Sequence, residues 1–137
     1  MRVRPATRED EAALARLFLA ARVQTFTWCD VGEYRLEDFV AETEGEAVTV
    51  VEDAAGKVAG FISVWERENF VHHLYVDPEV QGRGFGTALL ETLEGRHELK
   101  CQVRNVRAYR FYLRRGWREV SQGRDLVGEY ALMESGF

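Results

Sequence analysis

Glycines occupy every second position at the start of the segment QGRGFGTALL, residues 81–90, which follows a predicted strand and leads into an apolar helical run. Glycine loses more backbone freedom on folding than any other residue, so three glycines this close together indicate a local requirement. A glycine-rich turn at the start of a helix gathers free backbone N–H groups, and such groups bind anions such as a pyrophosphate. The alternative is a tight β-to-α turn without a ligand, because short glycine turns are common.

Two common nucleotide-binding motifs do not fit these glycines. The Rossmann fingerprint G-x-G-x-x-G opens the first βα unit of a domain, whereas this segment lies in mid-chain and has Leu89 where the third glycine would stand. A P-loop ends in Gly-Lys followed by Ser or Thr, and Gly86 is followed directly by Thr87. The sequence therefore favours a glycine-rich anion site of another kind.

Composition limits the class of protein. The chain has 137 residues, of which 46% are hydrophobic and 30% charged, which predicts a single domain over 1–137. The net charge of −5 argues against nucleic acid as a partner. No apolar run approaches the ~20 residues that span a bilayer, so no membrane partner is expected. Because Cys29 and Cys101 show neither metal-ligand spacing nor a disulfide framework, we expect a cytoplasmic protein with reduced thiols and no metal.

Hydrophobic periodicity predicts a mixed α/β (α+β) domain with one main sheet, in the order β-α-α-β-β-β-α-β-α-β-β. The second helix, at 34–43, is expected to turn Leu36, Phe39 and Val40 inward. The other helices are expected after Thr7, from Gly84, and from Asn105 to Arg115, and the strands at 3–7, 47–52, 58–66, 70–76, 98–103, 117–121 and 127–133.

A second group of residues lies in NVRAYRFYLRRGW, residues 105–117, where Asn105, Ala108 and Tyr112 share one helix face at spacing i, i+3 and i+7. The segment QGRGFG satisfies the pattern [Q/R]-x-x-G-x-[G/A], and it follows the lead-in LYVDPEV. With these two motifs in this order, the chain resembles the GCN5-related N-acetyltransferase (GNAT) superfamily. The resemblance implies the GNAT fold, a central mixed but mostly antiparallel sheet flanked by helices.

The resemblance also implies acetyl-CoA (coenzyme A) as the co-substrate. In the family, backbone N–H groups hold the pyrophosphate, here across residues 82–87, and the preceding strand pairs with the pantetheine arm. A bulge separates that strand from the next one, and a strand N–H, here near Val76, binds the oxyanion. The implied cofactor-binding residues are Leu74, Tyr75, Val76, Gln81, Gly82, Arg83, Gly84, Phe85, Gly86, Thr87, Asn105 and Tyr112.

Acetyl transfer to an amine requires an unprotonated amine, an oxyanion donor and a proton for the departing thiolate. The resemblance assigns the last role to Tyr112, whose ordinary pKa of about 10 lies modestly above the value of about 8.5 for a thiol. Tyr109 is the rival hydroxyl, and the motif spacing favours Tyr112. Because the family transfers the acyl group directly, Cys29 is not expected to be a nucleophile.

His72 is the expected general base, since the ordinary pKa of a histidine, about 6.5, suits that role. Strand alternation places His72 on the face of Leu74, and it places His73 on the opposite face, where a substrate contact is expected. Glu66, Glu68 or a water chain are alternative bases, and many strand histidines are purely structural.

Acceptor recognition is expected from the segment 23–39, with Trp28, Glu66 and His73 as the substrate-binding residues. The aromatic residues of this segment either line the acceptor site or cover the core. The expected acceptor is a small amine or a protein amino group, and a homodimer is left open.

Arg107, Arg110 and Arg114 share one helix face. This face is either a solvated surface with favourable placement near a helix C-terminus, or a source of salt bridges to the phosphates of coenzyme A.

The sequence therefore predicts an acetyl-CoA-dependent N-acetyltransferase that acts on a primary amine. A non-catalytic acyl-CoA-binding sensor is the alternative, and such a sensor would not need the Tyr112 hydroxyl. An ATP-dependent enzyme is a third hypothesis, which predicts tighter binding of ATP than of coenzyme A.

Overall fold

The computed structural model describes residues 1–136, which form seven strands and four α-helices in the predicted order. No helix within these residues is both long enough and apolar enough to cross a bilayer. The strands are β1 (Arg2–Pro5), β2 (Ala47–Glu52), β3 (Val58–Trp65), β4 (Phe70–Val76), β5 (Glu98–Gln102), β6 (Trp117–Arg124) and β7 (Glu129–Ser135), and the helices are α1 (Glu11–Thr25), α2 (Asp38–Thr43), α3 (Phe85–Leu90) and α4 (Val106–Arg114).

All seven strands belong to one open sheet in the order β1-β2-β3-β4-β5-β7-β6. Neighbouring strands pair antiparallel, with the single exception of β4 and β5, which run parallel. The predicted mixed, mostly antiparallel sheet is thus confirmed.

Helices cover both faces of the sheet. Val50 and Val51 are adjacent in β2 and fully buried, yet they belong to different core clusters, because successive side chains of a strand point to opposite faces. Val50 belongs to the cluster that contains Leu14 and Phe18 of α1. Val51 belongs to the cluster that contains Leu89 of α3. Each face is therefore sealed by its own set of apolar side chains.

The β4 strand carries a bulge and then separates from β5. Ser63 and Val64 of β3 pair with His73 and Val71, which leaves His72 as an extra residue. A bulge bends its strand and increases the local twist. The β5 strand pairs with β4 only at its first two residues. A gap therefore opens between the two central strands beyond the bulge.

Helix α2 is shorter than the predicted 34–43, and part of the predicted inward face is wrong. Phe39 and Thr43, four residues apart, are the buried residues of this helix. Leu36 precedes the helix and is 47% exposed, while Val40 is 53% exposed because it lies about 100° around the helix from Phe39.

Candidate active site

A cleft of about 590 Å³ opens where β4 and β5 diverge, between the glycine-rich turn and helix α4. We call it the glycine-turn cleft, and its volume is typical of small-molecule sites. Arg83, which was predicted to bind the cofactor, is exposed and does not line the cleft. The other predicted cofactor-binding residues all line it: Leu74, Tyr75, Val76, Gln81, Gly82, Gly84, Phe85, Gly86, Thr87, Asn105 and Tyr112.

The three glycines of the turn have two different structural roles. Gly82 and Gly84 have φ values of 81° and 87°, which L side chains rarely adopt, and a Cβ added at either would point into open space. Gly86 is helical, and a Cβ there would lie 3.2 Å from the Phe111 ring. The first two glycines thus shape the turn and leave room beside it, whereas Gly86 permits α3 to pack against α4.

Side chains of α4 and its C-terminal cap brace the turn. The guanidinium of Arg107 donates a hydrogen bond to Gln81 Oε1 at 2.9 Å, and Gln81 Nε2 donates to the carbonyl oxygen of Val76 at 3.4 Å. The guanidinium of Arg115 donates to Thr87 Oγ1 at 2.8 Å. These contacts fix the turn relative to both α4 and the end of β4.

The predicted arginine face of α4 is divided in the structure. Arg107 and Arg114 line the glycine-turn cleft together with Arg115, whereas Arg110 does not. Three cations therefore surround one cleft in a chain whose net charge is −5. Such an arrangement attracts an anionic ligand to this cleft.

The edge of β4 offers backbone donors to the same cleft. The N–H of Asp77, just after β4, donates to the carbonyl oxygen of Ala59 in β3 at 2.8 Å. Successive N–H groups of a strand point to opposite edges, so the N–H groups of Val76 and Leu74 point toward the gap instead. Because β5 does not pair with this part of β4, these donors are free to bind a ligand.

Asn105 and Tyr112 lie on the α4 side of the gap. As predicted, Asn105 caps α4, since its Oδ1 accepts a hydrogen bond from the N–H of Ala108 at 3.2 Å. Burial, with smaller effects of Cys101 and Tyr75, raises the pKa of Tyr112 well above its ordinary value. The phenol is therefore protonated at neutral pH and cannot act as a base, and burial makes it a weaker acid than an ordinary tyrosine. Tyr109 lines neither the cleft nor the cavity described next.

A second cavity of about 90 Å³ adjoins the glycine-turn cleft at the same gap. Leu74, Tyr75 and Tyr112 line both spaces, whereas His72 and His73 line the second cavity and not the cleft. The gap between β4 and β5 thus places the Tyr112 side chain and the two histidines around one small space. Cys101 also lines it, and burial raises the pKa of this thiol to about 11, so it is not a thiolate at neutral pH.

Strand alternation placed His73 correctly, on the face of Tyr75 beside Phe18, but it is wrong for His72. The His72 and His73 rings stack at 3.8 Å between centroids, because the bulge at His72 interrupts the regular alternation of side chains. The His73 ring is buried 4.9 Å from the Phe18 ring. Burial, with smaller electrostatic effects of His72 and Arg22, lowers the pKa of His73 to about 3. His73 is therefore neutral at physiological pH, whereas the His72 side chain is 39% exposed.

Two of the predicted substrate-binding residues lie outside both spaces. Glu66 is exposed in the turn between β3 and β4, at the end of β4 where β5 still pairs, and the alternative base Glu68 lies in the same turn. The indole N–H of Trp28 donates to the carbonyl oxygen of Val127 at 3.0 Å, which ties its loop to the turn before β7. Its neighbour Phe26 lines the second cavity instead.

Two glutamates that the sequence did not single out stand beside the histidines. Glu46 Oε2 lies 2.6 Å from His72 Nδ1, and Glu42 Oε1 lies 3.6 Å from His73 Nε2. No local sequence pattern indicates the contact between Glu46 and His72, because these residues are 26 positions apart in the chain. We call Glu42, Glu46, His72 and His73 the histidine–glutamate cluster.

Part of this cluster has the spacing of a candidate cation site. The ligand atoms of Glu42, His72 and His73 lie within 4.8 Å of one another. However, the two rings are stacked with an interplanar angle of 29°, and their lone pairs lie in the ring planes, so they do not converge on one point. Arg22 also donates to Glu42 at 3.4 Å and supplies a positive charge beside it. The geometry of Glu42, His72 and His73 therefore disfavours metal binding, whereas the short contact between Glu46 and His72 suits proton transfer.

Sequence comparison assigns the chain to a family. The family model described as "Acetyltransferase (GNAT) domain" matches residues 39–119, which include the glycine-rich turn, β4, β5 and α4. The chain belongs to the GNAT acetyltransferase family, as the resemblance implied. Among curated proteins, none matches the chain.

Several solved structures share the fold. A GCN5-related N-acetyltransferase from Rhodopseudomonas palustris is 21% identical, with a TM-score of 0.82 over 99% of this chain and 95% of its own. The PaiA N-acetyltransferase from Thermoplasma acidophilum, in complex with coenzyme A, is 18% identical, with a TM-score of 0.81 over 99% and 98%. The protein yncA from Salmonella typhimurium, with its cofactor acetyl-CoA, is 25% identical, with a TM-score of 0.72 over 98% and 92%.

Proposed function

We propose that this protein is an acetyl-CoA-dependent N-acetyltransferase that transfers the acetyl group directly to a primary amine of a small molecule or a protein. The observation that carries the proposal is the gap between β4 and β5, which joins the glycine-turn cleft to the second cavity. Direct transfer requires an acyl donor and an amine to meet from two sides, and this gap connects two such spaces.

The residues of the glycine-turn cleft fit coenzyme A. Gly82 and Gly84 leave open space beside backbone N–H groups, which suits a pyrophosphate. The free N–H groups of Leu74 and Val76 can pair with the amide groups of the pantetheine arm, as a peptide pairs with a sheet edge. The arginines beside the cleft supply charge for the phosphates. Bound there, acetyl-CoA would supply a thioester carbonyl that is activated toward nucleophiles.

Three groups of this chain then carry the reaction. His72 removes a proton from the protonated amine R–NH₃⁺, and the imidazolium later loses this proton to solvent. The N–H of Val76 stabilises the negative charge that develops on the carbonyl oxygen as the C–N bond forms. Tyr112 donates its proton to the sulfur as the C–S bond breaks, and the proton that the amide nitrogen sheds restores the phenol. The products are the N-acetyl amine, the free thiol and one released proton.

Acetylation of a panel of primary amines, with the free thiol as the readout, tests this proposal. We expect at least one amine to give turnover with the wild-type protein, and His72→Gln to lower kcat by about 100-fold. Coenzyme A binding without acetylation of any amine in the panel would support the sensor instead. Tighter binding of ATP than of coenzyme A would favour the ATP-dependent enzyme.

A further inference from the structure

We propose that Glu46 is a positioning residue for His72, which it holds in the tautomer that carries the proton on Nδ1 and leaves Nε2 free to take a proton from the acceptor amine. This inference rests on the proposed function, because it concerns how the general base of that reaction is prepared. Neither the motif of the glycine-rich turn nor that of α4 includes Glu46.

The Glu46 carboxylate is enclosed and has one partner. Its side chain is 7% exposed, its Oε2 lies 2.6 Å from His72 Nδ1, and its Oε1 has no hydrogen-bond partner among the described residues. A buried carboxylate gains from a charge-assisted hydrogen bond, and a short distance is typical of such bonds. The contact with His72 is therefore the interaction that holds this carboxylate in place.

The backbone fixes where Glu46 stands. Gly45 has a φ of 80°, and a Cβ there would lie 3.2 Å from the Trp65 ring, so this position favours glycine. The N–H of Glu46 donates to the carbonyl oxygen of Thr43 at 3.0 Å, just before β2 begins. The turn that ends α2 thus delivers the carboxylate to the bulge of β4.

The His72 ring is held on two sides. Glu46 contacts its Nδ1 edge, and His73 stacks on its face at 3.8 Å. The bulge that brings the two histidines together also places His72 on the wall of the second cavity, which Tyr112 lines as well. The ring orientation is thereby set before any substrate binds.

Hydrogen-bond chemistry determines the tautomer. An ionised carboxylate can only accept hydrogen bonds, so the proton of this contact must belong to Nδ1. In a neutral imidazole the other nitrogen then carries the lone pair. When Nε2 takes the proton of the amine, Glu46 stabilises the resulting imidazolium, as a buried carboxylate stabilises the histidine of a catalytic triad.

Glu42 provides a matched comparison within the same cluster. It is also a carboxylate beside a histidine, but it lies 3.6 Å from His73 Nε2 and accepts a hydrogen bond from Arg22. A distance of 3.6 Å is too long for a hydrogen bond. Glu42 therefore forms an ion pair with Arg22 and is not the partner of His72 Nδ1.

Long-range ¹H–¹⁵N NMR of the imidazole groups tests the tautomer directly. The chain has three histidines, so single substitutions assign the signals. In apo protein with EDTA, which removes any bound metal, we expect His72 to be protonated on Nδ1. In Glu46→Gln the side-chain amide can either accept from Nδ1–H or donate to Nδ1. We therefore expect the Nε2–H tautomer to become populated, whereas Glu42→Gln leaves the tautomer unchanged.

Kinetics then tests the consequence for turnover. We expect Glu46→Gln to lower kcat by about 10-fold to 100-fold, the usual effect of losing a positioning partner, with the KM for acetyl-CoA within twofold of wild type. Glu46→Asp keeps the carboxylate and should recover part of the loss. Glu42→Gln should stay within about threefold of wild-type kcat.

Three results would overturn the inference. The first is an Nε2–H tautomer of His72 in the wild-type protein, a result that does not depend on whether Glu46→Gln folds. The second is wild-type kcat in Glu46→Gln when His72→Gln is inactive, which removes the role of Glu46 and leaves His72 as the base. The third is full turnover of His72→Gln, which removes the base assignment and the role of Glu46 together.

Discussion

The glycine-turn cleft and the second cavity share Leu74, Tyr75 and Tyr112, yet the chain builds them in different ways. The cleft depends on local backbone conformation, with two glycines at positive φ between a strand and a helix that follow each other in sequence. The histidine–glutamate cluster beside the second cavity depends on side chains from the end of α2 and the middle of β4. One region is encoded by a short segment, the other by the packing of distant ones.

This difference predicts which kind of substitution each region tolerates. Backbone N–H groups bind a phosphate whatever the side chains are, so the requirement falls on the few positions that must lack a side chain. Recognition and deprotonation of an acceptor depend on side-chain identity. Substitutions in the two regions should consequently affect different measurements, and the four predictions below follow from that expectation.

The largest expected effect is on coenzyme A binding in Gly84→Val. The new side chain would enter the open space beside the turn, and a positive φ would cost about 1–3 kcal/mol in strain. We expect calorimetry to show a Kd at least about 100-fold weaker, which corresponds to about 2.8 kcal/mol.

Gly56→Val is the matched control for this strain. Gly56 has a φ of 82° and open space around it, but it lies in the turn between β2 and β3, away from the cleft. Gly56→Val should lower the melting temperature about as much as Gly84→Val does, but it should leave the Kd for coenzyme A unchanged. Equal Kd values for the two variants would contradict the assignment of the phosphate to this turn.

Tyr112→Phe should separate chemistry from binding. Loss of the hydroxyl removes the proton donor, so we expect kcat to fall by about 100-fold while the Kd for coenzyme A stays within twofold. Tyr109→Phe on the same helix, which removes a hydroxyl that lines neither space, should leave both values unchanged. A rate for Tyr112→Phe within twofold of wild type would remove Tyr112 from the mechanism.

Acid should destabilise the folded protein through His73, which is buried beside the second cavity. Its pKa in the folded protein is about 3 against an ordinary 6.5, so between these pH values the unfolded chain binds a proton that the folded chain does not. Stability should therefore fall as the pH drops below about 6.5, by up to about 2 kcal/mol at pH 5. Urea unfolding at pH 7.5 and pH 5 measures this loss, and His73→Gln should show less of it. The same pH-dependent loss in both proteins would show that His73 is not responsible.

The smallest expected effect concerns the arginines beside the cleft. Arg107 and Arg110 are both exposed on α4, but only Arg107 lines the glycine-turn cleft. We expect Arg107→Ala to weaken coenzyme A binding by about fivefold at low salt, and by less at high salt, where exposed charges are screened. Arg110→Ala should have no effect on the Kd. Equal weakening by both substitutions would indicate a general charge effect on α4 and no specific contact.

Sequence patterns predicted the scaffold well because they reflect local requirements. Alternating apolar residues marked the strands, and the N-cap Asn105 marked the start of α4. The errors occurred where tertiary contacts override the pattern. Leu36 is exposed because the short helix α2 begins only after it, and Val40 is exposed because it lies off the face that Phe39 buries. Strand alternation misplaced His72, which stacks on His73, because the pattern of residues contains no mark of the bulge at His72.

Residues close together in the chain specify the turn that suits a phosphate, the motifs of the family and the order of the elements. Three other facts are visible only in the folded protein: Glu46 contacts His72, His73 is buried and neutral, and Trp28 lies outside the second cavity. These facts depend on contacts between segments far apart in sequence. No local periodicity encodes such contacts, since they arise from how the helices and strands pack on one another.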